Sequence, residues 1–166
     1  RDVDGGFLLA GWTRSLSETS GLQLRMAFDR TNREGGAPNE VRDTYDVDMQ
    51  HHFQAADRHN VIWGLSYRLS DDKTTGDFVI SLDPASRTQH LLSTFVQDEI
   101  GLIADKLFMT VGTKLEKNNF SKNSLEWEPN IRLSWNITNE QMLWGSVARA
   151  VRVPSRVEQA ATIHGA

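Results

Sequence analysis

The chain has 166 residues, 18 basic and 22 acidic side chains, a formal net charge of −4 and no cysteine. That length suits one domain, and the missing cysteines exclude disulfide frameworks, thiolate metal sites and cysteine nucleophiles. The charges are mixed along the chain with no basic stripe, which argues against nucleic acid, and no apolar run approaches the roughly 18 residues a transmembrane helix needs.

Period-two alternation predicts about eight strands, over roughly 6–16, 22–30, 44–54, 61–70, 88–100, 107–116, 129–137 and 141–151. In the second, Leu22, Leu24, Met26 and Phe28 oppose Gln23, Arg25, Ala27 and Asp29. In the third, Tyr45, Val47, Met49 and Phe53 oppose Asp46, Asp48, Gln50 and His52. The fourth sets Val61, Trp63, Leu65, Tyr67 and Leu69 against Ile62, Gly64, Ser66 and Arg68. Segments 88–100 and 141–151 alternate too weakly to assign their faces. In 107–116, Leu107, Met109, Val111 and Leu115 oppose Phe108, Thr110, Gly112, Lys114 and Glu116. In 129–137, Ile131, Leu133 and Trp135 oppose Asn130, Arg132 and Ser134. No useful stretch has helical period, and residues 155–166 carry at most a helical turn.

Most of these segments are about 9 to 11 residues long, the length of a tilted membrane-spanning strand rather than the 5 or 6 usual in soluble proteins. Short connections, around 17–21, 55–60, 101–106 and 138–140, alternate with long ones around 31–43, 71–87 and 117–128. An antiparallel up-and-down meander then carries its short turns at one end and its long loops at the other, as outer-membrane barrels do. Trp12, Trp63, Trp135 and Trp144 fall near short turns, whereas Tyr45 and Tyr67, with Phe28 and Trp127, fall near long loops. Two aromatic rows at opposite strand ends are expected to form interfacial girdles. The face carrying Arg25, Asp29, Asp46, Asp48, Arg68, Lys114, Glu116 and Arg132 is too charged for a dry core. It suits a wet or plugged lumen, which leaves the apolar face to lipid.

Three stretches carry a family resemblance: "TFVQDEIGLIADKLFMTVGTKLEKNNF" (94–120), "EPNIRLSWNITNEQMLWGSVARAVRVPS" (128–155), and "DTYDVDMQHHF" with "NVIWGLSYRLS" (43–70). In order and spacing they resemble successive hairpins of TonB-dependent outer-membrane receptors of the ferric-siderophore and colicin type. The resemblance implies an all-β chain. Residues 1–166 are expected to be a middle section of a 22-stranded barrel, without the plug domain, the TonB-contacting box or the remaining strands. Arg152, Pro154 and Ser155 would belong to a recurring structural element. The implied location is the bacterial outer membrane, and the implied activity is import of a scarce ligand such as a ferric siderophore, without catalysis or cofactor. The implied partners are outer-membrane lipid, the ligand, and TonB only through the missing N-terminal part. Open strand edges imply that the isolated piece closes into a small barrel or self-associates.

Loop residues Arg33, Asn39, Arg42, Lys73, Arg87, Lys117 and Lys122 are the candidates for attracting an anionic chelate. His51 and His52 are adjacent and point to opposite faces of a strand, while His59 and His90 read as surface residues. Asp71, Asp72, Asp77 and Asp83 lack the ligand spacing of an EF-hand, so no metal site is expected. Asp98 and Glu99 diverge, and no G-x-S-x-G, P-loop or H-E-x-x-H occurs. The alternative reading is a soluble eight-stranded lipocalin-like barrel that encloses a small apolar ligand.

Overall fold

The computed structural model describes residues 2–35, 39–76, 80–119, 125–152 and 161–163. Eight strands form one antiparallel sheet in chain order: β1 (Asp2–Ser17), β2 (Ser20–Glu34), β3 (Asn39–Ala56), β4 (His59–Thr75), β6 (Ser86–Ile103), β7 (Leu107–Asn118), β8 (Leu125–Asn136) and β9 (Met142–Ala148). Two short strands, β5 (Ile80–Leu82) and β10 (Ala161–Ile163), pair with each other. The large sheet is an up-and-down meander whose end strands are β1 and β9. Residues 161–163 of the C-terminal stretch are strand; the rest of 153–166, where a helical turn is expected and which includes Pro154 and Ser155, lies outside the described residues.

The strands run further than alternation suggested. β2, β3, β4 and β6 have 15, 18, 17 and 18 residues. Most of the expected long connections are strand, leaving links at 35–38, 76–85 and 119–124. The reason is that both faces turn polar together. Arg30, Asp43 and Asp71 share one rung, while Thr31, Arg42, Asp72 and Arg87 share the next, on the opposite face. Without an apolar side there is no period-two signal, yet the backbone ladder continues. Short and longer links still alternate from end to end.

The register settles which residues share a face. Leu24, Met49, Leu65, Thr94 and Leu115 stand on one rung, and Met26, Val47, Tyr67 and Leu92 on a rung of the same face. Segment 88–100 therefore places Leu92, Val96 and Ile100 on the apolar face and Leu91, Phe95 and Gln97 on the other. In β9, Leu143, Gly145 and Val147 join the apolar face opposite Trp135, Leu133 and Ile131.

This apolar face covers nothing. Val47, Leu65 and Val111 are 40%, 45% and 42% exposed, and Leu82 is the one buried apolar side chain among the described residues. The accessible surface is 11797 Å², whereas a compact protein of this mass would expose about 8,300 Å². A lipocalin-like barrel needs an apolar interior; the described residues have none.

Candidate functional site on the charged face

The opposite face is a ladder of ionic and polar side chains. One rung holds Arg25, Asp48, Ser66, Ser93, Glu116 and Glu126. Arg25 lies 3.6 Å from Asp48, and on the next rung Arg68 donates to Asp46 at 2.7 Å. Lys114 reaches Glu116 at 2.6 Å and Glu128 at 4.0 Å. Solvated pairs of this kind contribute about 0–1 kcal/mol each. Their effect is to hold long side chains against the wall.

Glycines flatten the same face. A Cβ on Gly64 would lie 2.5 Å from Phe95 Cε1 and 2.8 Å from the Met49 carbonyl oxygen. The Phe95 ring therefore lies over Gly64, its direct cross-strand partner. The His52 imidazole covers Gly21 in the same way, and the Asn130 amide covers Gly112. Such pairs let large side chains lie flat and stabilise the ladder.

Towards the longer links the charges converge. Arg33 lies 3.4 Å from Glu40, Arg42 contacts Glu40, and Arg42 Nη2 lies 3.7 Å from Asp72 Oδ2. Asp72 is 1% exposed, and Arg87 stands directly across from it. Thr74 donates its backbone N–H and its hydroxyl to the Ala85 carbonyl, which ties the 76–85 link to this end of the wall.

Six of the seven basic or polar candidates thus stand on strands rather than in loops. Arg33, Arg42 and Arg87 share the charged face. Asn39, Lys73 and Lys117 are on the other face, beyond or at the upper edge of the apolar band. Lys122 lies outside the described residues, as does Asp77. Sequence reasoning missed Glu40 as the carboxylate that organises Arg33 and Arg42. Its i, i+2 spacing from Arg42 was the available signal, hidden because the segment read as loop.

The histidines divide as adjacency requires. His51 is on the apolar face, where Trp63 Nε1–H donates to Nδ1 at 3.0 Å, so Nε2 carries the proton towards Ser20 Oγ at 2.9 Å. His52 is on the charged face. His59 lies 2.6 Å from Asp98, and His90 Nδ1 lies 2.7 Å from the Tyr67 hydroxyl. Among the described residues no group of three or more His, Asp or Glu is placed to hold a metal ion.

Five of the six girdle candidates share the apolar face: Trp12, Trp63, Trp135, Tyr45 and Tyr67. Trp144 pairs with Ser134 and stands on the charged face. Tyr45 and Tyr67 lie well inside β3 and β4, so they mark the upper limit of the apolar band, not the strand ends. One rung runs from Trp12 through Leu24, Met49, Leu65, Thr94 and Leu115 to Trp127. It joins an aromatic beside a short turn to one beside a longer link.

The family model described as "TonB dependent receptor-like, beta-barrel" matches residues 2–165. No curated protein matches the chain.

Proposed function

Because the chain belongs to the TonB-dependent receptor β-barrel family, we propose that it is one section of a larger barrel wall, with lipid against its apolar face and a lumen against its charged face. Members of this family are bacterial outer-membrane transporters, not enzymes. In this reading the transported ligand is an anionic ferric chelate of the siderophore class, TonB couples through an N-terminal part of the receptor, and β1 and β9 pair with neighbouring strands. The observation that carries the reading is the continuous exposed apolar band opposite a continuous ionic ladder. Water tolerates the ladder but not the band.

The aromatic rows support the same placement. From Trp12 to Trp127 the rung crosses seven strands, about 29 Å at the usual strand spacing. If strands tilt about 40–45° from the membrane normal, the rung climbs about 20 Å along that normal. Trp127 and Trp135, eight residues apart on β8, are about 27 Å apart along the strand, which projects to about 20 Å at the same tilt. At that tilt both routes, which share Trp127, give about 20 Å, of the order of the roughly 25 Å apolar band of such barrels.

Arg33, Arg42 and Arg87 are the members of the candidate set that face the lumen in this reading, above the apolar band. Arg33→Gln in the whole receptor should weaken binding of a ferric tris-catecholate about tenfold, with Lys73→Gln unchanged, read by tryptophan quenching. Equal effects of the two substitutions would contradict the lumen-side assignment. The membrane reading itself is tested by solution behaviour. The purified chain should be monodisperse only in detergent or lipid, and a monodisperse detergent-free monomer would overturn it.

A further inference from the structure

Among the described residues Asp72 is the most deeply buried charged side chain, although it stands on the charged face of the sheet. It lies on β4 between Arg42 of β3 and Arg87 of β6, all three on one rung. A buried carboxylate is costly unless cations and hydrogen bonds hold it. Arg42 Nη2 lies 3.7 Å from Asp72 Oδ2 and also contacts Glu40, which Arg33 reaches at 3.4 Å. A row of alternating charge results, Arg33, Glu40, Arg42, Asp72 and Arg87, across β2, β3, β4 and β6. Its acids are enclosed and its bases outermost: the side chains of Glu40 and Asp72 are 19% and 1% exposed, those of Arg33 and Arg42 51% and 41%.

We propose that Asp72 is a positioning residue for ligand capture, fixing Arg42 and Arg87 on either side of it so that both guanidinia meet one anionic ligand in the lumen. The inference rests on the anionic-ligand reading given above. An arginine has many rotamers, and holding it in one before the ligand arrives removes an entropic cost from binding. The backbones of Arg42 and Arg87 are two strands apart, about 10 Å at the usual spacing, so long side chains can converge on a single polyanion. Three arginines against two carboxylates leave one surplus positive charge in the row, so capture depends on geometry more than on the net field. Charge and position then predict opposite signs. As a mere negative charge beside the ligand, Asp72 would oppose binding, and its removal would tighten it. As a positioning residue, its removal releases the arginines and weakens binding.

The test is binding of a ferric tris-catecholate to the whole receptor, read by tryptophan quenching over a range of salt. Asp72→Asn, close to isosteric, should weaken binding about tenfold while making it more sensitive to salt, because the site has become more positive. Asp72→Glu, which keeps the charge, should retain part of the affinity. Arg42→Gln and Arg87→Gln should each weaken binding, and Asp72→Asn should add little to either of them. Labelling of arginines with phenylglyoxal, followed by mass spectrometry, gives a readout without ligand: Arg42 and Arg87 should react faster in Asp72→Asn, with Arg132 unchanged. Tighter or unchanged binding in Asp72→Asn, alongside weaker binding in Arg42→Gln and Arg87→Gln, would overturn the positioning role. Unchanged arginine labelling would overturn it as well. Indifference of binding to all of Arg33→Gln, Arg42→Gln and Arg87→Gln would instead overturn the anionic-ligand reading beneath it.

Discussion

Leu65→Arg should destabilise the chain in lipid vesicles by about 2–4 kcal/mol, the cost of a cation at the midplane of a barrel's lipid face. Gln50→Arg, one residue further along the neighbouring strand's pairing but on the charged face, should cost less than about 1 kcal/mol. Leu65 is central in the apolar stretch of β4, flanked on its rung by Met49 and Thr94. It is 45% exposed, so in water the same substitution would cost almost nothing. The large effect arises only if hydrocarbon is what Leu65 touches. Urea titration of both variants in the same vesicles measures the difference. Equal, small effects would mean that the apolar band meets water or a loose protein surface.

The second large effect is expected at Gly64→Val, at about 1–3 kcal/mol. The new Cβ would sit 2.8 Å from the Met49 carbonyl oxygen and 2.5 Å from the Phe95 ring. The ring can swing away into the lumen; the carbonyl, held in the β3–β4 ladder, cannot. Gly64→Val combined with Phe95→Ala should therefore recover only part of the loss, a coupling that a double-mutant cycle reads directly. Full recovery would show that only the ring fills the space over Gly64. No loss in the single variant would show that neither the Phe95 ring nor the Met49 carbonyl limits the space over Gly64.

Phe95 also explains why part of the fold was illegible in the sequence. It is an apolar residue on the charged face, tolerated because a glycine stands opposite on the next strand. Asp98 is its mirror image, a carboxylate on the apolar face whose Oδ2 lies 2.6 Å from His59 Nδ1. Both compensations come from β4, so β6 read alone looks patternless. β9 failed differently: as an end strand it carries Met142 and Trp144 on one face and Leu143 and Val147 on the other, all exposed. Where one face is mainly apolar and the other mainly polar, as in β2, β3, β4 and β7, alternation locates both strand and facing. Above the band, around Arg30 to Glu34 and Asn39 to Asp43, hydration on both sides erased the signal. The basic residues there consequently look like loop residues in the sequence, although they stand on strands. Their division between the two faces depends on register, which no single strand encodes.

The central claim is that the apolar face meets lipid and the charged face an aqueous lumen. The most direct test is a nitroxide scan through residues 107–116 of the chain in bilayers, comparing collisions with oxygen and with a water-soluble nickel chelate. Labels at 107, 109, 111, 113 and 115 should be relaxed by oxygen, and those at 108, 110, 112, 114 and 116 by nickel, alternating at every step. Labels at the odd positions that are immobile and shielded from both reagents would place those side chains in a protein interior and contradict the account.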